Sequence, residues 1–388
     1  MNIGIFTDSY LPYTSGVVRS IQTFTEELNK MGHEVFIFAP AYKNCGDEDK
    51  VFRFASIPSP TNPDFNIAVP FSLRFRPTIR RLNLDLIHVH SPFLLGRLGA
   101  RYARRLDKPL IFTFHTLYDQ YVHYVPFAKS FTRELAQRIS RDFCNQCDMV
   151  LVPTDVIGEY LREIGVDKPI RKAPTGIKVA DYSKGDGEWL RSRFNIASKN
   201  KILLFVGRLG QEKNIGFLLE SFKLISKEAG ETVLVLVGGG PEEEDLRKKA
   251  SELGIGKKVV FTGTLSGKDV INCYAGADVF LFSSVTETQG IVITEAKAAG
   301  LPVVAVGAYG VSEMVREGID GFLTEQDPFQ FSQKVCYILN NKELYNEMSR
   351  RARENAQQMS IARCSAVLVD CYQEMLEKYN KKSLEVQS

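Results

Sequence analysis

Apolar positions along this chain come in short, nearly continuous runs separated by helix-period segments. "NIGIFT" (2–7) is followed by an amphipathic stretch from Val17 to Met31, then by "EVFIFAP", "LDLIHVHS", "PLIFTFHT" and "DMVLVPT". After about residue 175 the rhythm restarts with "KILLFVG" (201–207), "TVLVLVG" (232–238), "KVVFTG" (258–263), "ADVFLFS" (277–283) and "LPVVAV" (301–306), each leading into a helical stretch. An unbroken apolar run marks a strand covered on both faces, and strands alternating with helices mark a parallel sheet. Two such sets end to end predict an α/β chain of two Rossmann-like, doubly wound domains, spanning 1–174 and 175–359. The connector lies in "PTGIKVADYSKGDG" (174–187), rich in glycine and polar residues. From Asp327 onward the pattern is helical, and the last part, 360–388, is expected to cross back onto the first domain. Open parallel sheets bind ligands beyond the carboxyl ends of their strands, so two facing sheets would share one cleft.

Length agrees with this division, since 388 residues are too many for one ordinary domain. Met1 is followed at once by a strand-like run, with no charged segment leading into an apolar one, so no signal peptide is expected. No apolar run approaches the roughly 20 residues of a membrane-spanning helix. Seven scattered cysteines suggest reduced thiols in a cytosol. The net charge of +3 hides an asymmetry: residues 71–141 hold 13 Lys/Arg against four acids. That surplus suits an anionic partner (lipid, nucleic acid or polyanion); the plain alternative is a solvated basic face.

Candidate chemistry sits just after strands. "TSGVVRSI" (14–21) follows the first strand and opens a helix, where Gly16 would let backbone N–H groups approach a phosphate. "FVGRLGQEKN" (205–214) places Arg208 and Lys213 at a strand's carboxyl end, a planar fork and a point charge that suit a diphosphate. In "TETQGIVITEAKAAG" (286–300), Gly290 opens a helix whose first N–H groups can take a phosphate. Glu295, one turn in, can accept both hydroxyls of a ribose, and Glu287 in the loop before it can accept hydroxyls of a second sugar. Together these describe a nucleotide sugar. "GGGPEEEDL" (238–246) fails the dinucleotide fingerprint, because Glu243 stands where the third glycine is needed. The Asp47–Asp49 pair lies in a polar loop and is rejected as a metal site. His88 and His90 share a strand face, and with His115 they could suggest a metal, but no nearby carboxylate or cysteine set has ligand spacing. Cys144 and Cys147 have CxxC spacing late in a helical pattern and read as core packing. His115 closes a strand, where a neutral imidazole could bond a sugar hydroxyl or steady nearby positive charge.

These motifs resemble the retaining GT-B glycosyltransferases of the family-4 type, whose signature E-x-x-G-x-x-x-x-E matches "ETQGIVITE". "SGVVRSI", "DLIHVHSP", "FHTLY", "GIKVADY" and "VGRLGQEKN" extend the resemblance over essentially the whole chain. It implies a donor-binding second domain and an acceptor-binding first domain. Arg208 and Lys213 then look like the diphosphate clamp, Glu287 like the carboxylate on the donor sugar, and Glu295 like the one on the ribose. The backbone of Gly290, Ile291 and Val292 would contact phosphate or sugar oxygens, with Gly16 near the distal phosphate and His115 near the anomeric carbon. His115, Arg208, Lys213 and Glu287 are the catalytic candidates. The family needs no metal or other cofactor, a UDP-sugar being a substrate, and has no nucleic-acid partner. It retains anomeric configuration, by front-face attack in which a leaving phosphate oxygen takes the acceptor's proton.

Thr288-Gln289 departs from the Gly-Phe common in the family, and "TETQG" and "HTLYDQYVHYVP" are similar to bacterial diacylglycerol glucosyltransferases. The expectation is transfer of a hexose, glucose foremost, to diacylglycerol or a glycosyl-diacylglycerol, by a cytoplasmic protein peripheral on the inner face of the membrane. Every second residue from Phe65 to Phe75 is apolar, with Arg74, Arg76, Arg80 and Arg81 beside it. That stretch is either an interfacial face or a core strand with a solvated end. A soluble acceptor, or a sugar-nucleotide 2-epimerase on the same fold, is the alternative.

Overall fold

The computed structural model describes residues 1–43, 45–46, 48–60, 64–71, 75–120 and 129–387. Asp47, Leu73, Arg74 and the 121–126 portion of "HTLYDQYVHYVP" lie outside the described residues. Two compact units divide the chain: Met1–Gly176 with Ile361–Ser388, and Ile177–Ser360.

The first unit holds β1 (Asn2–Phe6), β2 (Glu34–Pro40), β3 (Val51–Phe54), a small hairpin of β4 (Ser56–Pro58) and β5 (Asn66–Ala68), then β6 (Leu86–Val89), β7 (Leu110–Thr113), β8 (Met149–Val152) and β9 (Ile170–Lys172). Seven of these form one sheet in the order β3-β2-β1-β6-β7-β8-β9, and every pairing is parallel. β6, β7 and β8 are buried at every position, which is why their sequences show no polar alternation. Fully burying one Leu, Ile, Val or Phe side chain contributes about 1.5–3 kcal/mol, so these strands anchor the unit. The helix Ile361–Gln387 belongs to this unit: Tyr372 bonds His88, Tyr379 bonds Asp148, and Glu374 pairs with Arg171.

The second unit holds β10 (Lys201–Val206), β11 (Thr232–Val237), β12 (Val259–Gly263), β13 (Val279–Phe282), β14 (Val303–Val306) and β15 (Gly321–Thr324). Their order is β12-β11-β10-β13-β14-β15, again all parallel. Counted within the unit this is 3-2-1-4-5-6, the dinucleotide-fold order, with its reversal between β10 and β13. The first unit reverses in the same way between β1 and β6.

The ten strands legible as apolar runs are present. The sequence pattern does not show β3, β9, β15 or the β4–β5 hairpin. The first three stand at sheet edges, where one side needs no apolar cover. The alternation from Phe65 to Phe75 is not one face. Only Asn66–Ala68 of it is strand, paired antiparallel with Ser56–Pro58. Val69 and Phe71 are exposed, whereas Phe75 begins the helix Phe75–Arg81 and packs among Phe6, Phe38, Phe54 and Tyr102. Cys144 and Cys147 are buried free thiols, and burial pushes Cys144 up to about 12. A thiolate ligand or redox pair is disfavoured there.

Candidate active site

In the second unit both signature segments leave strands that flank the reversal. The loop after β10 carries Arg208 and Lys213, and the loop after β13 carries Glu287 and Gly290. Arg208 is exposed. Its loop is held from behind by the glycine run that fails as a dinucleotide site: Leu209 N donates to Gly239 O at 3.0 Å, and Glu242 N donates to Leu209 O at 3.1 Å. A Cβ on Gly240 would meet Leu209 O at 2.2 Å, so only glycine allows the two loops to lie this close. The run supports the Arg208 loop, a role its spacing did not reveal.

The two loops are stitched together. Ser283 Oγ donates to Lys213 O at 2.6 Å, and Ser284 Oγ donates to Glu212 O at 2.8 Å. The Lys213 ammonium pairs with the Glu287 carboxylate, their side chains 17% and 19% exposed. The residue expected on the diphosphate and the one expected on the sugar are therefore ion-pair partners of each other. Glu287 O accepts from Gly310 N at 3.0 Å, which fixes the loop on its other side.

Gly290 has φ +81°, a left-handed conformation, and leads into the helix Ile291–Ala299. Without glycine there the chain could not turn so sharply into the helix at low strain. The first helical N–H groups, at Ile291 and Val292, belong to half-buried residues at the positive end of the helix dipole. Glu295 is fully buried and accepts from Tyr274 Oη at 2.8 Å. Two residues on, Lys297 pairs with Asp320 at 2.8 Å and donates to Met314 O, also at 2.8 Å, while Asn355 bonds the same carboxylate. Burial lowers the lysine's pKa against the opposing pull of Asp320. An ion pair this deep holds the helix in place, because leaving either charge alone would be costly.

In the first unit, Ser15 caps the helix Gly16–Lys30, its side chain accepting from Val18 N. Gly16 is exposed, and among the described residues a Cβ built on it would meet nothing within 4 Å. Packing among those residues does not demand this glycine. After β1, the buried Asp8 takes hydrogen bonds from Ser91 Oγ and, at 2.9 Å, from Leu95 N, at the start of the helix Leu94–Leu106. Burial raises the Asp8 pKa. This carboxylate, unnoticed in the sequence, ties together the two strand exits that flank the reversal. His115 follows β7, half-buried, with Nε2 2.8 Å from His90 Nδ1. The nitrogens of His88 face the hydroxyls of Tyr372 and Thr113. Among the described residues no group of three or more His, Cys, Asp or Glu could hold a metal ion, and Asp49 is exposed.

A model of Glycosyltransferase Family 4 matches residues 14–181, and one of Glycosyl transferases group 1 matches 188–355. The alpha-monoglucosyldiacylglycerol synthase of Streptococcus pneumoniae is 34% identical over 330 residues, which is 83% of this chain and 75% of that protein. The chain belongs to this glycosyltransferase family. The glycosyltransferase is also 29% identical over 400 residues to the alpha-monoglucosyldiacylglycerol synthase of Acholeplasma laidlawii, covering 98% of this chain and all 100% of that one. Its fold is GT-B. HepE of Anabaena, solved in complex with UDP-glucose, superposes with a TM-score of 0.77 at 18% identity, over 96% of this chain and 99% of that one.

Proposed function

We propose that this glycosyltransferase moves glucose from UDP-glucose, with retention of configuration and without a metal, onto diacylglycerol or its monoglucoside at an anionic membrane surface. The observation that carries the donor reading is the Lys213–Glu287 pair between the two loops at the β10/β13 reversal. An ammonium for a diphosphate stands against a carboxylate for sugar hydroxyls, beside the helix that starts after Gly290. Arg208 and Lys213 oppose the charge that builds on the leaving UDP, and the helix N-terminus adds backbone N–H groups. With that charge met by cations and N–H groups, a divalent ion is redundant. Glu295, steadied by Tyr274, accepts the ribose hydroxyls, and Gly16 leaves room at the distal phosphate. The acceptor hydroxyl attacks on the face the UDP leaves, and a phosphate oxygen takes its proton.

The lipid reading is supported by what the two synthases named above are called and by the exposed face of the helix Leu94–Leu106. Arg97, Arg101, Arg104 and Arg105 are all exposed on it, and exposed Phe93 and Leu94 stand at its start. None of these arginines forms an ion pair among the described residues, although Arg97 Nε donates to Pro92 O at 3.1 Å and Arg105 lies over the Tyr102 ring, so no carboxylate there offsets the charge they would present to anionic headgroups. A donor-by-acceptor screen tests the reading. UDP-glucose, UDP-galactose and GDP-mannose are each offered with diacylglycerol, its monoglucoside and soluble sugars, with chelator present throughout. Transfer from UDP-glucose to a lipid acceptor is expected; preference for a soluble acceptor, or a strict need for magnesium or manganese, overturns it.

A further inference from the structure

The loop that leads from β1 into the helix Gly16–Lys30 is gripped by one side chain from the edge of the same sheet. β3 pairs with β2 alone, Arg53 standing opposite Ala39 and Phe54 opposite Pro40. Side chains alternate along a strand. Phe52 stacks on Phe38 and Phe54 meets Phe75, so Arg53 leaves by the other face. Its side chain is only 13% exposed. Nη1 donates to Leu11 O at 2.8 Å and to Pro40 O at 3.1 Å, Nη2 pairs with Glu48, and the guanidinium carbon lies 5.2 Å from the centre of the Tyr10 ring. Tyr13 N donates to Tyr10 O at 3.2 Å, closing the turn 10–13, and the Tyr13 ring meets Phe65 edge to face with centroids 5.4 Å apart.

A cation this sheltered is costly to hold unless its N–H groups are bonded. One carboxylate partner would not call for arginine. Two carbonyls from different elements, reached at once by a rigid fork, do. Asp8 fixes the start of the loop through Ser91 Oγ and Leu95 N, and Ser15 caps its end. Arg53 supplies the hold between them, tying the turn to the end of β2. We infer that Arg53 is a positioning residue, which holds the Tyr10–Tyr13 turn so that the helix Gly16–Lys30 presents its first N–H groups in one fixed place. This rests on the reading of Gly16 at the distal phosphate made above and deepens it: the leaving phosphate meets a helix start braced from β3. Those N–H groups count most as charge builds on the phosphate, so losing the brace slows turnover more than it weakens binding. UDP itself stays with Arg208, Lys213 and Glu295.

The test compares the full-length wild type with Arg53→Met, which fills similar space without donors. UDP-glucose is supplied with diacylglycerol in anionic vesicles, and again without acceptor to follow hydrolysis of the donor. Hydrolysis reads Arg53 whichever acceptor the enzyme takes. Transfer and hydrolysis should fall together by about 10- to 100-fold, the size of effect that misplacing a reacting group by about 1 Å produces. The KM for diacylglycerol and the calorimetric affinity for UDP should change little. Wild-type turnover overturns the inference. So does a raised KM for diacylglycerol with hydrolysis spared, since the loop would then serve the acceptor. Arg53→Lys keeps the charge beside Glu48, loses the fork and should remain slow; full recovery would mean that charge alone suffices, which overturns the inference too. Hydrogen exchange without substrate reads the brace itself: amides 10–18 should exchange faster in Arg53→Met than in wild type, and equal exchange overturns the inference. Should Arg53→Met not fold, Arg53→Lys decides in the same assays. Gly16→Leu tests the reading on which this rests. Slow turnover there with wild-type turnover in Arg53→Met sinks the inference alone, whereas normal turnover in Gly16→Leu sinks the Gly16 reading and leaves the exchange result to judge Arg53.

Discussion

Glu287→Gln should tighten binding of UDP while crippling sugar transfer. Considered from sequence alone, Glu287 touches only the donor sugar, and its loss leaves UDP affinity unmoved. The ion pair with Lys213 changes that expectation. UDP alone must take Lys213 from Glu287 to use it, and it offers no sugar hydroxyl to the carboxylate in exchange. Two charges at contact in a setting this sheltered attract by about 4 kcal/mol at an effective dielectric constant of 20, most of it offset by desolvation and by the new phosphate contact. A residue of about 1.4 kcal/mol corresponds to a tenfold gain in UDP affinity when the pair is removed. The intact donor supplies hydroxyls to Glu287, so the same substitution should cost about 10²-fold in turnover, as losing one preorganised transition-state contact does. Calorimetric titration of UDP into wild type, Glu287→Gln, Lys213→Met and the double variant closes the cycle. The gain should vanish when Lys213 is already Met. Unchanged or weaker UDP binding in Glu287→Gln refutes the reasoning.

Arg208→Ala should lower turnover about 10²–10³-fold, and Arg208→Lys should not restore it because the fork is lost; near-normal rates in either variant remove Arg208 from the clamp. Glu295→Ala should weaken UDP itself, and Tyr274→Phe should weaken it less, by about 0.5–1.5 kcal/mol for one hydrogen bond; calorimetry showing UDP affinity unmoved in both contradicts the ribose role. Replacing Arg97, Arg101, Arg104 and Arg105 with Gln should release the protein from anionic vesicles, each arginine contributing about 1 kcal/mol at low salt, while leaving donor hydrolysis intact; wild-type flotation by the fourfold variant excludes that face. His88 and His90 are buried with depressed pKa values, His88 at about 3 against an ordinary 6.5. Their unfolded forms take up protons as pH falls through 6.5 while the folded forms do not. Stability is thus full above that pH and falls by about 1.4 kcal/mol per pH unit per histidine below it, and urea melts at pH 7 and pH 5 should show a shallower loss in His88→Gln than in wild type.

What the sequence showed and what it hid follow from range. β6, β7, β8, β10 and β13 were legible because burial on both faces forces an unbroken apolar run. β9, "IRK", was not, because an edge strand needs no such run. Arg208, Lys213, Glu287 and Gly290 could be picked out locally, each as a residue type just past a strand. Their partners could not. Lys213 and Glu287 are 74 residues apart, Tyr274 and Glu295 are 21, and Tyr372 reaches His88 across 284. No periodicity encodes such contacts, since they exist only once the sheets bring distant loops together. Glu295 illustrates the same limit: its place one turn into a helix was readable, while its complete burial depends on what packs around that helix. Phe75 failed for a related reason. Apolar alternation marks a face only while the backbone stays extended, and here the chain enters a helix at that residue.

The most direct measurement is proton NMR of the product formed from UDP-glucose labelled at the anomeric carbon, in vesicles of anionic lipid containing diacylglycerol, with chelator present. The account predicts a glucolipid whose anomeric proton has the small coupling of an α-linkage, matching the α-configuration of the donor, with UDP released in equal amount. A β-linked product would contradict retention. Release of free glucose or of an epimerised nucleotide sugar, with no glycolipid formed, would contradict the assignment of this chain as a transferase acting on lipid.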